Sequence, residues 1–490
     1  MPNHDSIAHL QQTAPTVCEP CKRRKKSCNK ALPACGRCSR LFVKCKYTLP
    51  LPETNNGSKS GPALPLPPLV QTHPSSSIDE QVSFQVSRLL SAITRKSEFY
   101  ISTYFRTFHQ SLPVVDQESF YSQLDSLDGK QGEEGEDYFG VLLLAIFLVA
   151  GQGGEEVYGA VKSIWCLLTG AGRVGLGLVR MGCLVAGWEF VQGMLGEAWG
   201  TVGGTVRMAQ VLGLHGTVRR VGGEGDGVEE KRCVWWCVVV LERIINQEFR
   251  GSGLPFASKG PEPDDYLPLV PLKDGVTYRV RDEIVLPEDV DLENLDLADR
   301  GCTRFGPFAA VVQMTYLTDL TTKHILDESK SPEERVADAA KLDIALQHFS
   351  GACIPPPGKA EGKYCGPYGL RTSAAYSLHL HELAMSTQSN DKEGILRATS
   401  ALQSLTRIII YATKASFEGV PMDLDGIAFW AHRICAVAAL IHIQFGERNE
   451  AWEADLEVLK KYLRYYVPKY RLYANYLKEI EAAEKSAMIS

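Results

Sequence analysis

The sequence predicts a small cysteine-organised module, then a Pro-rich linker, then a large all-α domain. Three observations predict this. Six of the fourteen cysteines fall between Cys18 and Cys45, at a duplicated spacing. Seven prolines fall between Thr48 and Glu80 among Ser, Gly and Asn. From residue 81 onward apolar residues recur at helical spacing, and no segment alternates at period two over strand length.

The order along the chain follows from composition. Residues 1–15 are polar and read as a disordered tail. The cysteine module fills 16–47, where ten Lys and Arg face one Glu, a local balance of +9. The whole chain carries -6, so the remainder is acidic by about -15, a contrast expected of a nucleic-acid-facing part on an acidic body. Residues 48–80 cannot bury a core and read as an extended linker. Residues 81–480 read as one helical domain, with 44% apolar residues in the chain sufficing for a core. The start, MPNHDSIAHLQQTAP, has no apolar signal core, and GVLLLAIFLVAG (140–151) is too short to span a bilayer. No membrane contact is therefore expected. A reducing compartment follows, where clustered cysteines are more often metal ligands than disulfides.

Cys18, Cys21, Cys28, Cys35, Cys38 and Cys45 spell C-x2-C-x6-C twice. Thiolates select zinc, and structural zinc takes four ligands tetrahedrally. Six thiolates can hold one zinc with two spare, or two zincs if two sulfurs bridge; the duplicated half-motif favours two. A segment of this length cannot build an apolar core, so metal binding must supply its folding free energy. Glu19 and Pro20 suit the first turn of a helix starting near Cys18 and running into Lys22–Lys26. Its basic end could enter a major groove, where Lys or Arg donates to guanine O6 and N7.

The stretch resembles the DNA-binding module of the fungal binuclear zinc-cluster transcription factors. All six cysteines match, as do the basic run CKRRKKSC, Pro33 before the fourth cysteine and the CKY ending at Tyr47. The resemblance implies a two-zinc cluster of two short helices and loops, with Cys18 and Cys35 bridging. It implies that Lys25, with Arg24 beside it, reads a CGG-like triplet in double-stranded DNA. Lys22, Arg23, Lys26, Arg37, Arg40 and Lys44 are then phosphate contacts that position without reading. The family tends to carry Lys before the third cysteine, where this chain has Ser27.

The body is similar to the family's helical regulatory region, the fungal-specific transcription factor domain. YFRTFHQSLPVVDQESF (104–120), VRMAQVLGLHG (206–216), EEKRCVWWCVVVLERI (229–244) and FRGSGLPFA (249–257) carry that resemblance, with Cys233 standing where an arginine is usual. Val82, Val86, Leu89 and Ile93 repeat at 4-3-4 spacing, which suits a short coiled coil joining a homodimer or the first core helix of the body. Residues 282–299 mix eight acids with Val, Ile and Leu, which suits a coactivator contact or a solvated acidic loop. Cys233 and Cys237 read as buried core, and His379 and His381 as ordinary helix residues.

The reading is a nuclear, sequence-specific transcription regulator of RNA polymerase II genes, without catalytic residues. Length and family type suggest a regulator of one metabolic pathway, such as a secondary-metabolite gene cluster. A different class is represented by GAGRVG (170–175), which fits G-x-G-x-x-G with Glu189 about 20 residues on. It would make the chain an intracellular nucleotide-dependent enzyme with a zinc-stabilised appendage, although no strand–helix alternation surrounds it.

Overall fold

The structure is a computed structural model. It describes residues 17–30, 35, 37–38, 77–93, 97–127, 138–152, 154–221, 227–249, 254–268, 277–282, 284–290, 306–353, 364–418 and 424–489. The expected tail over 1–15, the linker up to residue 76, Arg40, Lys44, Cys45 and residues 291–299 lie outside them. The chain separates into two compact units, Met1–Pro62 and Ala63–Ser490.

In the first unit, α1 spans Glu19–Arg23, with Cys18 as N-cap and Pro20 in its first turn. Arg37 and Cys38 are also helical. The buried cluster of this unit's described residues consists of Cys18, Cys21, Cys35 and Cys38, so sulfur stands where a core would be.

The second unit opens with α2 (Ile78–Ile93), α3 (Ser97–Arg106), α4 (Phe108–Ser111), α5 (Gln117–Leu127) and α6 (Phe139–Phe147). A capping box starts α2: the Ser77 amide donates to Glu80 Oε2 (2.8 Å), and the Glu80 amide to Ser77 Oγ (3.2 Å). The helix thus begins inside the stretch expected to be linker. Val82, Val86 and Leu89 are buried within the body's core, and their helix packs against α6. Gly140 permits the approach, since a Cβ there would stand 2.9 Å from Val86 Cγ1.

Next come α7 (Glu155–Gly170), α8 (Leu176–Val191), α9 (Leu195–Val211) and α10 (Val228–Asn246). Residues 177–191 of α8 are all buried, and it packs against α6, α7, α9 and α10. An all-round apolar helix has no solvent face to keep, so it takes the centre. On α9 the outer side carries Gly196, Gly200 and Gly203, with nothing within 4 Å of where a Cβ would stand. Gly213 closes that helix at φ +70, a left-handed C-terminal cap.

The remaining helices are α11 (Pro307–Leu326), α12 (Pro332–Cys353), α13 (Cys365–Gln388), α14 (Lys392–Glu418), α15 (Arg433–Phe445), α16 (Trp452–Tyr466) and α17 (Leu472–Ile489). Here α13 packs on α11, α12 and α14, while α15 joins α14, α16 and α17. The last helix extends beyond the expected domain end at 480. Buried charge ties α10 to α11: Arg243 Nε meets Asp319 at 3.3 Å, and Arg243 Nη1 meets Glu242 at 2.8 Å. Glu242 in turn accepts from the Ala257 and Ser258 amides at 2.6 and 3.1 Å. Among the described residues the β-structure is one isolated bridge, Tyr266 with Arg279. No helix among them is long and apolar enough to cross a membrane.

Candidate metal centre and nucleic-acid interface

Cys18 and Cys21 sit at the start and middle of α1, while Cys35 precedes the helical residues 37–38 and Cys38 lies within them. The sulfurs converge. Cys18 Sγ lies 3.7 Å from Cys35 and from Cys38, and 3.8 Å from Cys28. Cys21 Sγ lies 3.7 Å from Cys35 and 4.0 Å from Cys38. A disulfide needs about 2.05 Å, so these thiols are not bonded to one another. A tetrahedron of sulfurs at about 2.3 Å from zinc has an edge of about 3.8 Å, which these separations match.

Cys18, Cys21, Cys28 and Cys35 form one four-ligand group, with all four sulfurs within 4.8 Å of one another. Cys38 adjoins the sulfurs of Cys18 and Cys21 as a fifth. Cys18 and Cys35 are both fully buried, whereas Cys28 is half-exposed. Burial raises the Cys35 thiol, but the Cys38 amide (3.3 Å) and the thiols of Cys38, Cys18 and Cys21 outweigh it and hold the group at about 6. Burial also opposes ionisation of Cys28, and backbone hydrogen bonds from Cys18 and Lys30 reverse its sign, leaving it lowered. Cys21 is raised, burial leading. The donor set therefore fits zinc.

The basic end departs from the expected continuous helix. It stops at Arg23, and the chain reverses through Arg24, Lys25 and Lys26. Lys26 N–H donates to the Cys21 carbonyl (3.0 Å) and Lys25 N–H to the Lys22 carbonyl (3.1 Å), with Lys25 at φ 49. This is a Schellman cap with lysine in the left-handed position that glycine usually takes. The reversal brings Cys28 back to the sulfur of Cys18, which a straight helix would not do.

Lys22, Arg23, Arg24, Lys25 and Lys26 are all exposed, and none has an ion-pair partner among the described residues. Arg37 is half-buried. The structure adds Lys30 to the site. It takes φ 56, and its backbone hydrogen bond supports Cys28, a role that no spacing rule announces.

The other motifs resolve differently. GAGRVG joins α7 to α8, helix to helix, and Arg173 within it pairs with Asp79. Glu189 is fully buried and is bound by Lys162 (2.6 Å), Tyr158 (2.8 Å) and Thr201 (2.6 Å). It therefore cannot face a ribose in the way that the dinucleotide fingerprint requires. Cys233 and Cys237 are buried, and Cys233 donates to the Pro113 carbonyl at 3.2 Å. His379 is more than an ordinary helix residue: it lies between Glu382 (2.8 Å) and Asp343 (3.3 Å). Burial would lower it, but those carboxylates lift it to about 9. In the acidic segment Ile284, Leu286 and Val290 are buried, so its first half spends its apolar side chains on the fold.

A cysteine tetrahedron beside a strip of exposed cations defines a metal-organised module built to meet a polyanion. Family models agree with that geometry. Residues 16–54 match the fungal Zn(2)-Cys(6) binuclear cluster domain, a class that binds zinc and DNA. Residues 183–250, from α8 through α10, match the fungal specific transcription factor domain. The chain carries both domains. It is also similar to a Schizosaccharomyces pombe protein described as an uncharacterized transcriptional regulatory protein. The two are 22% identical over 361 residues, covering 69% of this chain and 44% of that protein. The chain thus spans less than half the length of this curated relative. No solved structure matches it.

Proposed function

We propose that the chain is a nuclear, zinc-dependent, sequence-specific DNA-binding regulator of RNA polymerase II transcription. The observation that carries the reading is the strip Lys22–Lys26. Its five exposed cations have no acidic partners among the described residues and stand beside a thiol group of zinc dimensions. Two zincs share Cys18 and Cys35. The first is completed by Cys21 and Cys28, the second by Cys38 and Cys45. Lys25 and Arg24 read a CGG-like triplet, and Lys22, Arg23, Lys26, Arg37, Arg40 and Lys44 hold phosphates. The module is taken as 16–47, its linker as the stretch from 48 to the start of α2, and the regulatory body as α2 through α17. Coactivator contact is assigned to the acidic segment 282–299. Pathway-specific control, as of a secondary-metabolite cluster, and homodimerisation belong to the same reading.

Fluorescence anisotropy with a CGG duplex and a scrambled duplex tests it. Six phosphate contacts give a log–log salt slope of about -5.4, and about -7 if Lys25 and Arg24 also displace counterions. Tighter binding to CGG than to scrambled DNA, lost on chelation, is the expected result. Equal affinity for both duplexes would remove sequence reading from the proposal.

A further inference from the structure

We infer that Ser27 is a phosphorylation site for a basophilic serine kinase, and that its modification switches off DNA binding. The inference deepens the DNA reading above and rests on it.

Ser27 is exposed and lies in the irregular stretch Lys26–Lys30, directly after the left-handed reversal at Lys25. Its hydroxyl makes no hydrogen bond among the described residues, so no structural bond must break before it reacts. The five residues before it are Lys22, Arg23, Arg24, Lys25 and Lys26, with Arg24 three positions and Arg23 four positions upstream. An acidic substrate groove that reads cations N-terminal to a serine finds its complement here. Neither the helix α1 nor the buried sulfurs cover the residue.

The step uses ATP as co-reactant. Ser27 Oγ forms a bond to the γ-phosphorus and the β–γ bridging P–O bond breaks. ADP leaves, and the hydroxyl proton passes to the kinase's base. The product adds about 1.5 to 2 negative charges at the C-terminal end of the strip that meets the DNA. It cancels one to two of the five cations. Withdrawing one cation from the DNA phosphates at 0.1 M salt weakens binding about eightfold, so the modified chain should bind about 8- to 60-fold more weakly. The weakening should appear on both CGG and scrambled duplexes, because the cancelled charge attracts phosphates of any sequence. Cys28, next in sequence, keeps its sulfur among Cys18, Cys21 and Cys35 and should keep its metal.

The test uses the full chain loaded with zinc, ATP and the catalytic domain of an arginine-directed serine kinase. Mass spectrometry locates the phosphate, anisotropy measures both duplexes over a salt series, and a colorimetric assay measures zinc. The expected result is phosphate on Ser27, none there in Ser27→Ala, weakened binding with a slope shallower by about one to two, and unchanged zinc. Ser27→Glu should lie between the modified and unmodified chains. An unmodified Ser27, or a phosphorylated chain that binds normally, overturns the inference while leaving the DNA reading intact. Loss of zinc on phosphorylation overturns the electrostatic switch. If the unmodified chain itself ignores DNA, the underlying reading fails, and that result is separately visible.

Discussion

Replacing Lys25 by glycine and by alanine separates what its side chain does from what its backbone does. The residue sits at φ 49, where an L side chain costs roughly 1 to 2 kcal/mol. Lys25→Gly removes that strain but gives back about 0.5 to 1 kcal/mol through the freer unfolded chain, so the net stabilisation should lie between about 0 and 1.5 kcal/mol. Lys25→Ala keeps the Cβ and the strain. Both variants should load zinc fully, because the turn's hydrogen bonds to the Cys21 and Lys22 carbonyls come from backbone amides, which either residue leaves in place. Both lose the ammonium, which is worth about 1 to 3 kcal/mol of base discrimination, or about 5- to 150-fold in affinity for a CGG duplex. Anisotropy on CGG and scrambled duplexes, with zinc measured in parallel, checks this. Equal losses on both duplexes would make Lys25 a phosphate contact. Loss in the alanine variant with affinity retained in the glycine variant would show that the turn, and not the ammonium, matters.

Three further outcomes are expected. A zinc chelator should unfold the first unit, whose buried cluster is sulfur, while the helical body keeps its circular dichroism and DNA binding disappears. Leu89→Ala should cost the body about 2 to 5 kcal/mol in chemical denaturation without changing its sedimentation, because Leu89 is core; a dimer-to-monomer change at unaltered stability would return that face to dimerisation. The body's stability should be greatest near pH 6.5. His432 and His109 are held at about 3 and about 4, chiefly by burial, so the unfolded chain takes their protons first and stability falls below about pH 6.5. His379, lifted to about 9, contributes fully below about pH 6.5 and loses that contribution as pH rises through 9. Thermal melts from pH 5 to 9.5 should show this dome, and His379→Gln should flatten its alkaline limb.

The metal centre was legible because ligand chemistry fixes residue type and spacing together, and C-x2-C-x6-C repeated leaves few alternatives. Five of the six sulfurs fall among the described residues, and they converge. The Lys25 reversal was not legible, since lysine carries no signal for a left-handed position. It is imposed by the need to return Cys28 to Cys18. In the body, α16 is legible from sequence because its apolar residues Trp452, Leu456, Leu459 and Leu463 recur at helical spacing and form one buried face. In contrast α8 offered no period to detect, being buried on every side, with Arg180 and Glu189 paired to partners distant in sequence, Glu230 and Lys162. The face of Val82, Val86 and Leu89 has the same pattern whether it meets another chain or its own core, and only tertiary packing separates the two.

The open glycines on α9 have a consequence for how the body yields. Each costs a helix about 0.8 to 1 kcal/mol relative to alanine, and Gly196, Gly200 and Gly203 gain no close packing in return. This helix is therefore held by its inner face alone, through residues such as Ala198, Val202, Val206 and Ala209. Its amides should exchange with solvent earlier than those of α8 beside it. The lowest local opening energy in the stretch 183–250 is therefore expected along α9, where heat or denaturant should loosen the body before α8 yields.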